Sequence, residues 1–123
     1  MKTLFALILS LATLHAANLD GKWSVIPRRG AAPHIYTFRS EGGTLKGSRV
    51  VGTITQEFQN GRVNGNELSF SIDLTLPQTP DNKIIMLYKG TLTGDEIKLT
   101  EQRERMPDGQ PGTVRSFIAT RVP

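Results

Sequence analysis

The 123-residue sequence contains no cysteine, which excludes a disulfide framework, a thiolate metal site and a cysteine nucleophile. Histidine is almost absent: only His15 and His34 occur, and Trp23 is the single tryptophan. Charged residues make up 21% of the chain, too few for a disordered polyelectrolyte. The length bounds the chain to one domain. No stretch beyond residue 17 sustains a helical period, and no Gly-rich element leads into a helix that could cradle phosphate. Basic residues outnumber acidic ones 15 to 11, yet Arg28-Arg29 is the only adjacent basic pair. A nucleic-acid binder concentrates such residues on one face, so no nucleic-acid partner is expected.

What is present first is an N-terminal segment with the layout of an export signal. Lys2 gives a positive start, residues 4–14 are apolar apart from Ser10 and Thr13, and Ala16 and Ala17 supply small residues for cleavage. The apolar run is shorter than the ~20 residues needed to span a bilayer, so no stable membrane anchor is expected. With no cysteine to lipidate, the product is expected to be released, in a secreted or periplasmic location. Residues 1–17 are therefore read as a signal peptide and 18–123 as one domain.

The remaining chain alternates and turns. Leu68, Phe70, Ile72, Leu74 and Leu76 share one face, with Ser69, Ser71, Asp73 and Thr75 on the other. Ile97 and Leu99 repeat the pattern, and Phe117 and Ala119 do so near the end, with Ile118 apolar on the opposite face. Gly42-Gly43, Gly65-Asn66 and Gly94-Asp95 each precede a strand-like run, and such pairs favour two-residue hairpin turns. Eight strands are predicted, at about 20–26, 34–40, 44–51, 54–63, 67–76, 83–92, 96–104 and 114–122. Longer loops are expected at 27–33, 77–82 and 106–112, where Pro or Gly cluster. The expected fold is all-β: a small eight-stranded antiparallel up-and-down barrel, which buries its apolar face and removes exposed edges. A two-sheet sandwich is the structural rival.

Gly21-Lys22-Trp23 at the start of the first strand, with Arg121 in the last, resembles the lipocalin and wider calycin pattern. There a first-strand tryptophan packs at the closed end beneath a last-strand arginine. The stretches GRVNGNELSF and GTLTGDEIKLT and the FIATR ending are similar to those of small secreted bacterial barrel proteins of uncharacterised function. The resemblance implies export, a calycin-type barrel, and a structural role for Gly21, Trp23 and Arg121. It brings no established activity.

No nucleophile, base and orienting acid stand in a recognisable pattern, so no catalytic residue, metal ligand or cofactor is assigned, and the protein is expected not to be an enzyme. His34 beside Pro33 reads as a strand-start residue. Asp20, Asp81, Asp95 and Asp108 fall at turns or strand starts, where Asp serves the local backbone. Glu101 and Glu104 with Arg103 and Arg105 read as a solvated, mixed-charge strand end. Gly47 and Gly90, inside strands, are expected to face a bulky aromatic such as Phe38, Phe70 or Tyr88. An eight-stranded barrel has room for its own side chains or one small ligand. The leading expectation is a monomeric, exported, non-enzymatic barrel that takes a small apolar or amphipathic ligand in its mouth, with Tyr36, Phe38, Arg39 and Tyr88 as ligand-binding residues. The alternative is a protein-interaction or inhibitor module acting through its loops, by Arg28, Arg29 or residues 106–112.

Overall fold

A computed structural model describes residues 19–76 and 79–123, without the side chains of residues 76–82. The export signal expected at 1–17 lies outside these residues, as do Pro77 and Gln78, and the side chain of Asp81 is likewise not described. The described residues contain no helix, hence none long and apolar enough to cross a membrane. Nine strands form: β1 (Gly21–Val25), β2 (His34–Glu41), β3 (Thr44–Val51), β4 (Ile54–Glu57), β5 (Gln59–Asn64), β6 (Glu67–Leu76), β7 (Thr79–Thr93), β8 (Glu96–Arg103) and β9 (Arg115–Arg121).

Each strand pairs antiparallel with its successor in the ring β1-β2-β3-β5-β6-β7-β8-β9, and β9 pairs back onto β1. The fold is a closed eight-stranded antiparallel barrel, with β4 added beside β3. Hairpins close at Gly42-Gly43, Gly65-Asn66 and Gly94-Asp95, and a fourth at Gly52-Thr53. The first turn residue has a φ of 63°, 61°, 61° and 61° respectively, the backbone that a type II′ turn asks of glycine.

Two boundaries differ from expectation. The strand expected at 54–63 is broken at Phe58, and the register against β6 shifts between Gln59 and Arg62. Asn60, with φ 53°, is the one non-glycine residue in the left-handed region among the described residues and takes up the shift as a bulge. The loop expected at 77–82 is shorter, because β7 begins at Thr79 and Leu76 pairs with Thr79. The residues between Thr79 and Lys83 are accommodated by a second register irregularity rather than by an open loop.

The inner face carries the core. Trp23, Tyr36, Phe38, Leu68, Phe70, Ile72, Tyr88, Ile97 and Leu99 are buried, in the alternation that the sequence displays. On β9, Ala119 points inward and Ile118 outward. Each fully buried large apolar side chain contributes about 1.5–3 kcal/mol relative to exposure, so the core stabilises a small domain that has no disulfide. The aromatic rings pack continuously: Phe58 and Phe70 stack at 4.0 Å between centroids, and Phe70 and Tyr88 at 4.8 Å.

Gly47, in β3, has φ 146°, and a Cβ there would lie 1.8 Å from the carbonyl oxygen of Thr37. The close approach lets the Phe58 ring pass beneath it and fixes glycine at this position. At Gly90 the crowding neighbours are Leu68 and Ile97, not an aromatic ring as expected.

Candidate functional site

The closed end is built around Trp23. It is fully buried, and its Nε1 donates to the carbonyl of Leu19 at 2.9 Å. Trp23 and Arg121 are register partners across β1 and β9, which places the guanidinium carbon 4.3 Å from the ring centroid. Arg121 Nη1 also donates to the carbonyl of Asp20 at 3.0 Å. A Cβ at Gly21, where φ is 130°, would meet that nitrogen at 3.2 Å. Asp20 Oδ1 accepts from the backbone N and the hydroxyl of Ser40, tying the chain entering β1 to the end of β2. Gly21, Trp23 and Arg121 therefore come together as one seal.

The inner face toward the opposite, open end changes character. Two cross-strand rows meet there. Tyr36, Arg49 and Gln56 are register neighbours on β2, β3 and β4; Tyr88, Glu101 and Arg115 are neighbours on β7, β8 and β9. Arg49 is buried and lies across the barrel from its own row to Tyr88, donating to the Tyr88 hydroxyl at 2.7 Å. Its other edge is a fork onto one oxygen, with Nε donating to Gln56 Oε1 at 2.9 Å and Nη2 to the same atom. The Tyr88 hydroxyl in turn donates to Glu101 Oε2 at 2.5 Å. Glu101 also lies 3.7 Å from Arg49 Nη1 and 3.7 Å from Arg115 Nη1.

Burial pushes the pKa of Tyr88 and of Tyr36 above the ordinary phenol value, with Arg49 opposing in both cases. Both hydroxyls thus stay protonated, and neither is a base near neutral pH. His34, the first residue of β2, is half-buried at the same end. Desolvation, then the positive Arg49, lower its pKa, while Glu101 opposes them. Every buried side-chain N and O among the described residues has a hydrogen-bond partner. No group of three or more His, Asp or Glu gathers among the described residues to hold a metal. What this arrangement can do is orient an anion: Arg49 presents a planar fork that now grips an amide oxygen.

The wall beside that fork is held differently from the rest of the ring. β4 pairs with β3 alone, and residues 72–76 of β6 pair with β7 alone, so no ladder joins the two among the described residues. β4 and β6 lie against each other at the open end, beside Gln56, without a backbone ladder between them. Half-buried Leu74, Ile84 and Met86 line the same end from β6 and β7.

Of the residues expected to bind ligand, Tyr36, Phe38 and Tyr88 are brought together, but buried in the aromatic core with only the two hydroxyls reaching the polar cluster. Arg39 departs from that group. One position out of phase with Phe38, it points outward, exposed, near Glu41. Glu101, expected on a solvated face, is inside the barrel. Arg49 and Gln56 are the residues that sequence reasoning passed over, and Glu101 is one that it placed on the wrong face. The available signal was the two-residue period, since Ile97 and Leu99 lead to Glu101 and Leu45 leads to Arg49. Two clefts on the outer wall, of about 610 and 650 Å³, are separate from this cluster; Arg62, Lys89 and Lys98 line one, and Arg39, Lys46 and Phe58 the other.

Comparison of the chain with protein-family models, with curated proteins and with solved structures finds no match.

Proposed function

We propose that this protein is an exported, non-enzymatic, lipocalin-like barrel that binds a small amphipathic molecule at its open end. The ligand's oxygen anion sits on Arg49 in place of Gln56, and its apolar part lies against Leu74, Ile84 and Met86. One observation carries the reading: a buried guanidinium inside the barrel, forked onto a half-buried glutamine on a strand that has a ladder on one side only. A charge is costly to bury, and an aliphatic side chain at position 49 would fill the same space more cheaply. Gln56 is a neutral, replaceable partner on a four-residue strand, whereas Tyr88 and Glu101 are fixed from below.

Calorimetric titration with dodecanoate and with dodecyltrimethylammonium tests this. Dodecanoate is expected to bind and the cation not. Gln56→Ala should tighten dodecanoate by about three- to tenfold, the size of one hydrogen bond no longer to be displaced. Equal binding of both amphiphiles, no heat from either, or weaker dodecanoate binding in Gln56→Ala would overturn the reading.

A second reading, a protein-interaction module acting through its loops, is favoured by the aromatic filling. The stacked Phe58, Phe70 and Tyr88 occupy the interior below the polar cluster, which confines a ligand to the rim.

A further inference from the structure

Five large hydrophobic side chains are exposed among the described residues, and their placement is uneven. Ile118 is on the outer wall of β9. Ile26 (60% exposed), Ile54 (60%), Met106 (39%) and Val114 (53%) all lie at the open end. They belong to the β1–β2 connection, the β3–β4 hairpin and the β8–β9 connection. These three are consecutive around the rim, because the ring runs β8, β9, β1, β2, β3.

The charges around them are also unbalanced. The same connections and the adjoining strand ends carry Arg28, Arg29, Arg103, Arg105 and Arg115 against Glu101, Glu104 and Asp108, and Glu101 lies 3.7 Å from Arg115. Asp108 is occupied locally, its Oδ1 accepting from the backbone N of Gln110 at 2.9 Å. Among the described residues no carboxylate lies within ion-pair distance of Arg28, Arg29 or Arg105. Exposed apolar tips beside the guanidiniums of Arg28, Arg29 and Arg105 are the chemistry of an interfacial anchor. The tips are on three separate connections. A fluid bilayer boundary accepts separate tips.

From this we infer that the open rim docks on an anionic lipid surface, with Ile26, Ile54, Met106 and Val114 entering the headgroup boundary and the rim arginines meeting lipid phosphates. The inference is independent of the ligand proposed above, since none of these residues belongs to the Arg49 cluster except Arg115 at its edge.

The test is co-sedimentation of the full chain with vesicles of phosphatidylcholine and phosphatidylglycerol in equal amounts, against vesicles of phosphatidylcholine alone. Binding is expected to the mixed vesicles only, and to weaken with added salt. The double variant Ile26→Ser/Ile54→Ser should lower the partition coefficient by roughly tenfold or more. Arg28→Glu/Arg29→Glu should do likewise. Ile118→Ser, an equally apolar loss away from the rim, should leave it unchanged. Circular dichroism of each variant establishes that the barrel is intact. Absence of vesicle binding, equal binding to both vesicle types, or equal sensitivity to Ile118→Ser would overturn the inference. So would a dimer in sedimentation equilibrium that the rim serines dissolve without any lipid binding, which would assign the apolar tips to a second copy of the chain.

Discussion

Arg121 serves three partners from one planar group: it stacks on Trp23, donates to the Asp20 carbonyl and lies near Asp95. Arg121→Ala is expected to cost about 1–3 kcal/mol, read as a lower urea midpoint with an unchanged m-value. Arg121→Lys should recover only part of this, because an ammonium neither stacks nor donates in a fork. His34 supplies a pH dependence. Its folded pKa lies below the ordinary 6.5, so its contribution to stability is complete above that value. The contribution is lost as pH falls below it, where the unfolded chain takes up the proton first. Urea midpoints measured from about pH 7 to pH 5 should fall further for the native protein than for His34→Asn. At this scale the sequence was readable where position singled a residue out, as with a lone tryptophan in the first strand and an arginine in the last. It was not readable at Arg49 and Glu101, because a charged residue in an alternating strand looks like surface whichever face it is on. Only its phase relative to Leu45 or Leu99 distinguishes it.

Strands and turns were more legible, and the exceptions have a geometric cause. Glycine opens each of the four tight hairpins, and at Gly52 an added Cβ would meet nothing within 4 Å. Gly52→Ala should therefore cost only about 1 kcal/mol, the strain of an L-residue at positive φ. Gly47→Ala faces both the positive φ and the Thr37 carbonyl, and should cost about 3 kcal/mol or more. Equal urea midpoints for the two variants would contradict this account of β3. The break at Phe58 was written in the spacing. Phe58 and Val63 are an odd number of residues apart, so a regular strand would place them on opposite faces. Both pack against the core, which requires one inserted residue between them, and Asn60 takes that place. Composition cannot reveal such a bulge, because every residue from Gln56 to Val63 fits a regular edge strand except by phase.

At the level of the whole barrel, the two ends are built by different means. At one, indole, aliphatic and guanidinium groups pack into a seal. At the other, Arg49 and Glu101, contributed from opposite sides of the ring, are joined through Tyr88. This link couples β3 to β7 and β8 without a backbone ladder, next to the seam where β4 and β6 do not pair. Its value to stability depends on all members being present. Removing one charge leaves the other desolvated and unmatched, whereas removing both leaves an apolar space that packing can fill. Glu101→Gln is accordingly expected to destabilise by about 2–4 kcal/mol, and Arg49→Met by a similar amount. The double variant Arg49→Met/Glu101→Met should lose clearly less than the two single losses combined, and the difference is the coupling carried across the barrel. Strict additivity in denaturant unfolding would mean that the two sides of the open end are stabilised separately, and that Arg49 is held by Gln56 alone. In that case the fork would be fixed from one side only, and the geometric argument for Gln56 as its replaceable partner would fail with it.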